Sequence, residues 1–316
     1  MILGIDISNH DVAVILAQPN GQAELALRSA LPRESGSPAI WLAAMETARE
    51  TLRRAQIEPT NIARVGLAFD APLNEQGVVL KGARTIGWEG FDLLYALRQH
   101  LCVTEAIAES RVICEALGEW QFGALRSTST INAEPSPTNA NTANWLFIHI
   151  GTTLAGVACV NGQLLRGTNR AAGEIGAICI ERDGALCASG RRGCLEGYCS
   201  GDSFVSRAAG YGITLKSVRE IWDLSNTNFA ARSLCDDYVQ RLAQGVGSAL
   251  AILNPQRLVL GGEIAQELGD KLLMPFRSRL KEFCLPVHCT DLQILPSQLG
   301  NDAAAMGAVA LAMQRS

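Results

Sequence analysis

The sequence predicts an α/β protein of two halves, each opening on a β-hairpin. Three observations carry this. A pattern of strand, polar turn, strand, Asn-Gly-Gln, strand occurs twice, about 143 residues apart. Each copy leads into segments of helical apolar spacing interspersed with short buried strands. Between the copies lies Ser127 to Ala143, STSTINAEPSPTNANTA, whose small, polar and Pro residues cannot form a packed core and read as an exposed loop. The expected domains are residues 1–122 and 123–316, with the loop at 127–143 and a last helix over 301–314 placed to pack back on the N-terminal domain.

Met1 to Ile7 is an apolar run ending on Asp6-Ile7, Ser8 to Asp11 a polar turn, and Val12 to Ala17 a second strand. Asn20-Gly21 turns the chain into a third strand through Leu27. Pro38 to Ala55 has helical spacing and ends in Arg53 and Arg54, which suit a helix C-terminus. Arg64 to Phe69 reads as a buried strand, Glu89 to Leu101 and Val112 to Phe122 as helices, and Glu105 to Ala108 as a strand between them. Trp145 to Gly151, Leu154 to Val160 and Asn161-Gly162-Gln163 repeat the opening. Tyr238 to Leu253 is a long amphipathic stretch stopped by Asn254-Pro255, followed by a strand over Arg257 to Leu260 and then Gly261-Gly262. Asn301 to Met313 is an Ala-rich closing helix.

With 316 residues, 48% of them apolar and 18% charged, the chain can bury two cores. No apolar run approaches the ~18 residues of a membrane span, and the start shows neither a basic segment nor a cleavage site, so a cytoplasmic protein is expected. The net charge of −4 and the absence of a basic stripe argue against direct nucleic-acid binding. The ten cysteines are scattered and several lie in apolar runs, as buried reduced thiols do.

The most informative stretch is Ala171 to Ser200, AAGEIGAICIERDGALCASGRRGCLEGYCS. Glu174 and Glu196 stand in small, Gly-rich surroundings on either side of a loop containing Cys and Arg, a setting of built sites and not of solvated faces. The stretch resembles the signature of the ROK family of bacterial sugar kinases and sugar-responsive repressors: Ala-Gly-Glu-Ile-Gly-His, then Cys-x-Cys-Gly-x-x-Gly-Cys-x-Glu. The resemblance extends through Gly4-Ile5-Asp6-Ile7, Gly82 to Trp88, Ala116-Leu117-Gly118-Glu119-Trp120, Leu253-Asn254-Pro255 with Leu260-Gly261-Gly262, and Gly300-Asn301-Asp302-Ala303. It implies an actin-like ATPase (ribonuclease H-like) fold with a cleft between two α/β domains. It also implies sugar-binding roles for Glu174, Glu196, Ser110 and Thr85, and nucleotide- or phosphate-binding roles for Asp6, Gly151, Thr152, Gly261 and Gly262.

The departures from the family pattern bear on chemistry. Gly-Gly-Thr-Lys after the first Asp-Ile becomes Ser8-Asn9-His10-Asp11, so side chains and a carboxylate replace a phosphate-cradling turn. Counted without gaps, the family's Glu-Asn-Asp triplet falls on Glu109-Ser110-Arg111. Arg111 thus stands where the resemblance implies the catalytic Asp, and a guanidinium cannot accept the sugar hydroxyl's proton. Arg111 is instead a candidate ligand for a phosphate or carboxylate, and Glu109 a candidate alternative base. The family's His-Cys-Cys-Cys zinc ligands become Ala177, Cys187, Ser189 and Cys194, and two ligands do not close a tetrahedral site. No zinc is expected; a rewired set would be Cys179, Cys187, Cys194 and Cys199, with Cys179 sharing the Ala177 face in a strand.

The expectation is a catalytically impaired, sugar- or sugar-phosphate-binding regulatory protein, a homodimer or a heterodimer with a ROK paralogue. The alternatives are an active hexose or N-acetylhexosamine kinase using ATP and Mg²⁺ with Glu109 as base, and a regulator subunit lacking its own DNA-binding domain. For the latter, the chain begins at the first phosphate strand, without the repressors' helix-turn-helix.

Overall fold

A computed structural model of the chain describes residues 1–8, 10–31, 36–81, 87–126, 143–187 and 189–314. They divide into two compact units, Met1–Arg126 with Asn301–Ser316, and Ser127–Gly300. The loop expected at 127–143 lies, but for its last residue, outside the described residues, as does Thr85.

The first unit contains β1 (Ile2–Ile7), β2 (Asp11–Ala17), β3 (Ala23–Ala30), β4 (Arg64–Phe69) and β5 (Ala106–Ser110), ordered β3-β2-β1-β4-β5. The hairpins pair antiparallel, while β1–β4 and β4–β5 are parallel. Side chains alternate across β1. Leu3, Ile5 and Ile7 join the core formed with Trp41, Met45, Leu93 and Leu97 of α1 (Ser37–Arg54) and α2 (Leu93–Leu101). On the opposite face Ile2 packs with Ala305 and Val309 of the closing helix α11 (Ala303–Met313). Gly4 lies so close to that helix that a Cβ would sit 2.5 Å from the Ala305 carbonyl oxygen. Asp6 shares this second face by the same alternation. α3 (Arg111–Phe122) follows β5 directly and packs extensively on α11.

The second unit repeats the plan. Its strands are β6 (Trp145–Ile150), β7 (Leu154–Val160), β8 (Gln163–Leu164), β9 (Arg257–Gly261) and β10 (Gln293–Pro296), ordered β10-β9-β6-β7-β8 with the same senses of pairing. Reversed, this is the first order element for element, so the sequence repeat is a structural duplication. The core joins Leu146, Ile148 and Ile150 to α4 (Glu196–Cys199), α5 (Gly201–Gly210), α6 (Val218–Leu224), α7 (Phe229–Leu253), α8 (Glu263–Leu268) and α9 (Asp270–Leu280). A short α10 (Pro286–Cys289) precedes β10.

Three expectations are adjusted. The helix expected from Glu89 starts at Leu93, where the Asp92 carboxylate accepts the Tyr95 N–H as N-cap. The helix expected from Tyr238 already starts at Phe229, capped by Asn228. Ala177 lies not in a strand but in a 3₁₀ turn over Ile175–Ala177, so Ala177 and Cys179 are not on one strand face.

Candidate functional site

In the first unit the site is built where β1 and β5 meet the start of α3. Asp6 is completely buried on β1, and Arg111 is the first residue of α3. The guanidinium donates through Nε to Asp6 Oδ1 at 3.1 Å, and its Nη1 lies 2.7 Å from Glu115 Oε1, one helical turn on. Glu115 is itself buried. Burial pushes the Asp6 carboxyl up to about 6; Arg111 draws it down, and the Glu115 charge raises it further. Burial opposes the charge on Arg111, but Glu115, Asp6 and Asp70 together raise its pKa, so it stays protonated. A guanidinium held by two buried carboxylates has its charge compensated from within the protein, which is the arrangement that makes a buried cation tolerable. Glu109 is buried on β5 and its Oε1 accepts the N–H of Ser110 at 2.9 Å.

The turn between β1 and β2 is closed by its own side chains. Ser8 Oγ accepts the N–H groups of His10 and Asp11 and donates to Asp11 Oδ1 at 2.6 Å. Asp11 Oδ2 is 2.6 Å from Arg28 Nη1, and Arg28 also bonds Asp302. Burial raises the Asp11 pKa, but the hydrogen bonds from Ser8 and Arg28 outweigh it and leave the carboxyl below its ordinary value.

In the second unit Glu174 precedes the 3₁₀ turn and Glu196 opens α4. Their segments touch: a Cβ on Gly176 would lie 3.2 Å from Glu196 Cβ and 2.3 Å from the Leu154 carbonyl oxygen. Glu174 keeps solvent access, yet partial desolvation, and after it the charge on Glu196, raises its pKa. Among the described residues no hydrogen bond or ion pair engages either carboxylate, and Arg192, an obvious local partner, donates instead to the Gly184 carbonyl oxygen. The loop carrying Glu196 is tied down from below. Tyr198 Oη donates to Glu181 Oε2 at 2.6 Å and accepts the Ala185 N–H at 2.7 Å, while Arg241 bonds Glu181 and Asp237 and lies 3.9 Å over the Tyr198 ring.

The cysteines divide. Cys179 pairs with Cys194 in an isolated antiparallel bridge, and Cys187 lies beside them, its thiol hydrogen-bonded with Cys194 and within 2.9 Å of Ser189 Oγ. Cys199 is elsewhere, its thiol donating to the Tyr238 carbonyl oxygen. The four-cysteine set is therefore not brought together, and among the described residues no group of three or more side chains is arranged to hold a metal. Among the described residues the four ligands of a closed tetrahedral zinc site are not assembled.

Gly151 and Thr152 form the turn between β6 and β7, and Gly262, at φ +87°, leads from β9 into α8. Sequence reasoning missed the residue that dominates this turn. Glu263 Oε1 accepts the Thr152 N–H at 2.7 Å, and Glu263 Oε2 lies 3.5 Å from Nε2 of the buried His149. The available signal was an acidic residue directly after Gly261-Gly262. In the first unit Asp6 is bound to a guanidinium, and in the second the Thr152 amide holds a carboxylate.

The comparisons agree with the geometry on fold. The solved structure of a ROK hexokinase from Thermus thermophilus matches with a TM-score of 0.80 at 20% identity, covering 98% of this chain and 97% of that one. The shared architecture is the actin-like ATPase fold. A glucokinase from Halalkalibacterium halodurans is 28% identical over 262 residues, 77% of this chain and 74% of the relative. A xylose repressor from Bacillus spizizenii is 24% identical over 96% of this chain and 75% of its own length. The model of the ROK family matches residues 2–315, nearly the whole chain, and the protein belongs to the ROK family, alongside sugar kinases and repressors.

Proposed function

We propose that this protein is a ROK-family sugar-binding protein that does not phosphorylate its ligand. The observation that carries the reading is the placement of Arg111 on buried Asp6 and Glu115. Phosphoryl transfer to a sugar hydroxyl needs a proton acceptor and cations free to meet the phosphates. Arg111 supplies no acceptor, and its charge is already matched by two carboxylates. The same matching disfavours a phosphorylated ligand at Arg111, because Asp6, Glu115 and Asp70 surround it with negative charge. The ligand is therefore a neutral sugar. Glu174 and Glu196, adjacent and without protein partners among the described residues, offer acceptor oxygens for vicinal hydroxyls. A sugar hydroxyl placed between them would relieve the unfavourable proximity of two carboxylates. The names of the relatives, a glucokinase and a xylose repressor, direct the first choice of ligands to hexoses and pentoses.

The test is calorimetric titration with glucose, xylose, mannose and their amino and N-acetyl derivatives. At least one neutral sugar should bind, and Glu196→Gln should weaken it tenfold or more while leaving the protein folded. Binding unaffected by Glu196→Gln, or binding by sugar phosphates alone, would contradict the reading.

A further inference from the structure

The Gly151–Thr152 turn holds an anion that belongs to the chain itself. The Thr152 amide donates to Glu263 Oε1 at 2.7 Å, and both carboxylate oxygens lie against Gly151 so closely that a Cβ there would be 2.4 Å from each. Next to the carboxylate is a cavity of about 380 Å³, lined by Thr152, Asp202, Ser206, Lys216 and Glu263 among others. Its charged lining is two carboxylates against one ammonium. A backbone amide at a tight turn with glycine beside it is the chemistry that receives a phosphate oxygen. A carboxylate offers that amide the same kind of acceptor and the same sign of charge.

We propose that Glu263 is the resident occupant of this anion seat and the residue that keeps polyphosphates out of the adjoining cavity. A phosphate approaching Thr152 must displace the Glu263 carboxylate or lie beside it. The cavity is thereby left to uncharged or cationic ligands. The hairpin of the first unit shows an equivalent arrangement independently, since Ser8 Oγ takes up the His10 and Asp11 amides of its turn. In each copy of the duplicated fold, then, a side chain of the chain itself takes up amides of the turn: His10 and Asp11 in one, Thr152 in the other. This inference deepens the proposed function, because exclusion of polyphosphate is a second obstacle to phosphorylation. It is read from a different residue and without turnover.

The experiment is calorimetric titration of the full chain with inorganic tripolyphosphate, in the absence of sugar, for the wild type, Glu263→Gln and Glu263→Gly. Glu263→Gly removes both the charge and the blocking group and should bind tripolyphosphate at least tenfold more tightly than the wild type. Glu263→Gln keeps the size and an acceptor for the Thr152 amide, removes the charge, and should gain at least threefold. If the glycine variant does not fold, the glutamine variant decides alone. Equal affinity in the wild type and the folded variants would overturn the inference. A wild type that binds tripolyphosphate as tightly as its variants but releases no ADP from ATP would overturn it while leaving the proposed function standing.

Discussion

Replacing Arg111 with Met should destabilise the protein in a pH-dependent way. The methionine keeps much of the side-chain bulk and removes the guanidinium from Asp6, which is fully buried, and from Glu115, whose side chain is 5% exposed. Removing one partner of a buried ion pair costs about 3–5 kcal/mol, because the remaining charge stays desolvated. At pH 8 Asp6 is ionised in the wild type, since its pKa is about 6, and the loss should fall in that range. At pH 5 Asp6 is already mostly protonated and needs its guanidinium less, so mainly Glu115 loses an ionic contact and the loss should be about 1–3 kcal/mol. The assay is urea unfolding at both pH values, followed by far-ultraviolet circular dichroism and extrapolated linearly to water. Asp6→Asn combined with Arg111→Met should be less damaging at pH 8 than the two single changes summed, by about 1–3 kcal/mol. A loss below about 1 kcal/mol at pH 8, or the same loss at both pH values, would refute the view that Arg111 neutralises Asp6.

Asp6 should contribute a distinct component to the wild-type pH profile. Its carboxyl titrates higher in the folded state than its ordinary 3.8, so the stability it contributes is fully present below about 4 and is lost as pH rises through about 6. At about 1.4 kcal/mol per pH unit, the interval corresponds to ~3 kcal/mol. Asp6→Asn should remove this component, which urea titrations at half-unit steps would detect as a flatter profile between pH 4 and 7. Gly307→Ala should destabilise by about 1–3 kcal/mol or more, because its Cβ would fall 1.6 Å from the Cys114 carbonyl oxygen where α11 crosses α3; an unchanged thermal midpoint would show that the crossing is loose. Tyr198→Phe removes the bonds to Glu181 and Ala185 beneath Glu196, and sugar affinity should fall several-fold while the thermal midpoint drops by only a few degrees.

Much of the fold was legible because local chemistry specified it. Apolar runs such as Ile2–Ile7 and Trp145–Ile150, followed by polar turns and Asn-Gly pairs, gave strands within a residue or two of those observed. The start of α7 was missed because Arg232, Ser233, Asp236 and Asp237 interrupt the apolar stripe and Phe229 faces solvent, whereas Asn228 was the cap that marked the boundary. The site was legible in its residue types and not in its partnerships. Arg111 was marked by its charge where an acid was expected, but its partner Asp6 lies 105 residues away. Glu263 and Thr152 are 111 residues apart, and the parallel pairing of β6 and β9, whose C-terminal ends lie side by side, brings them together. Glu174 and Glu196 could be paired in advance because they bracket one loop, whereas the Tyr198–Glu181–Arg241 ties beneath them depend on α7 packing under that loop.

The central claim is that this ROK-family chain binds a sugar without phosphorylating it. The most direct measurement is coupled ADP release by the purified protein with Mg²⁺-ATP and a panel of hexoses, pentoses, amino sugars and N-acetyl sugars. The account predicts no sugar-dependent release above background with any of them, from a protein whose folding is verified by a cooperative thermal transition. Sugar-dependent release that disappears in Glu109→Gln would contradict it, identify Glu109 as the base, and make the protein a working kinase.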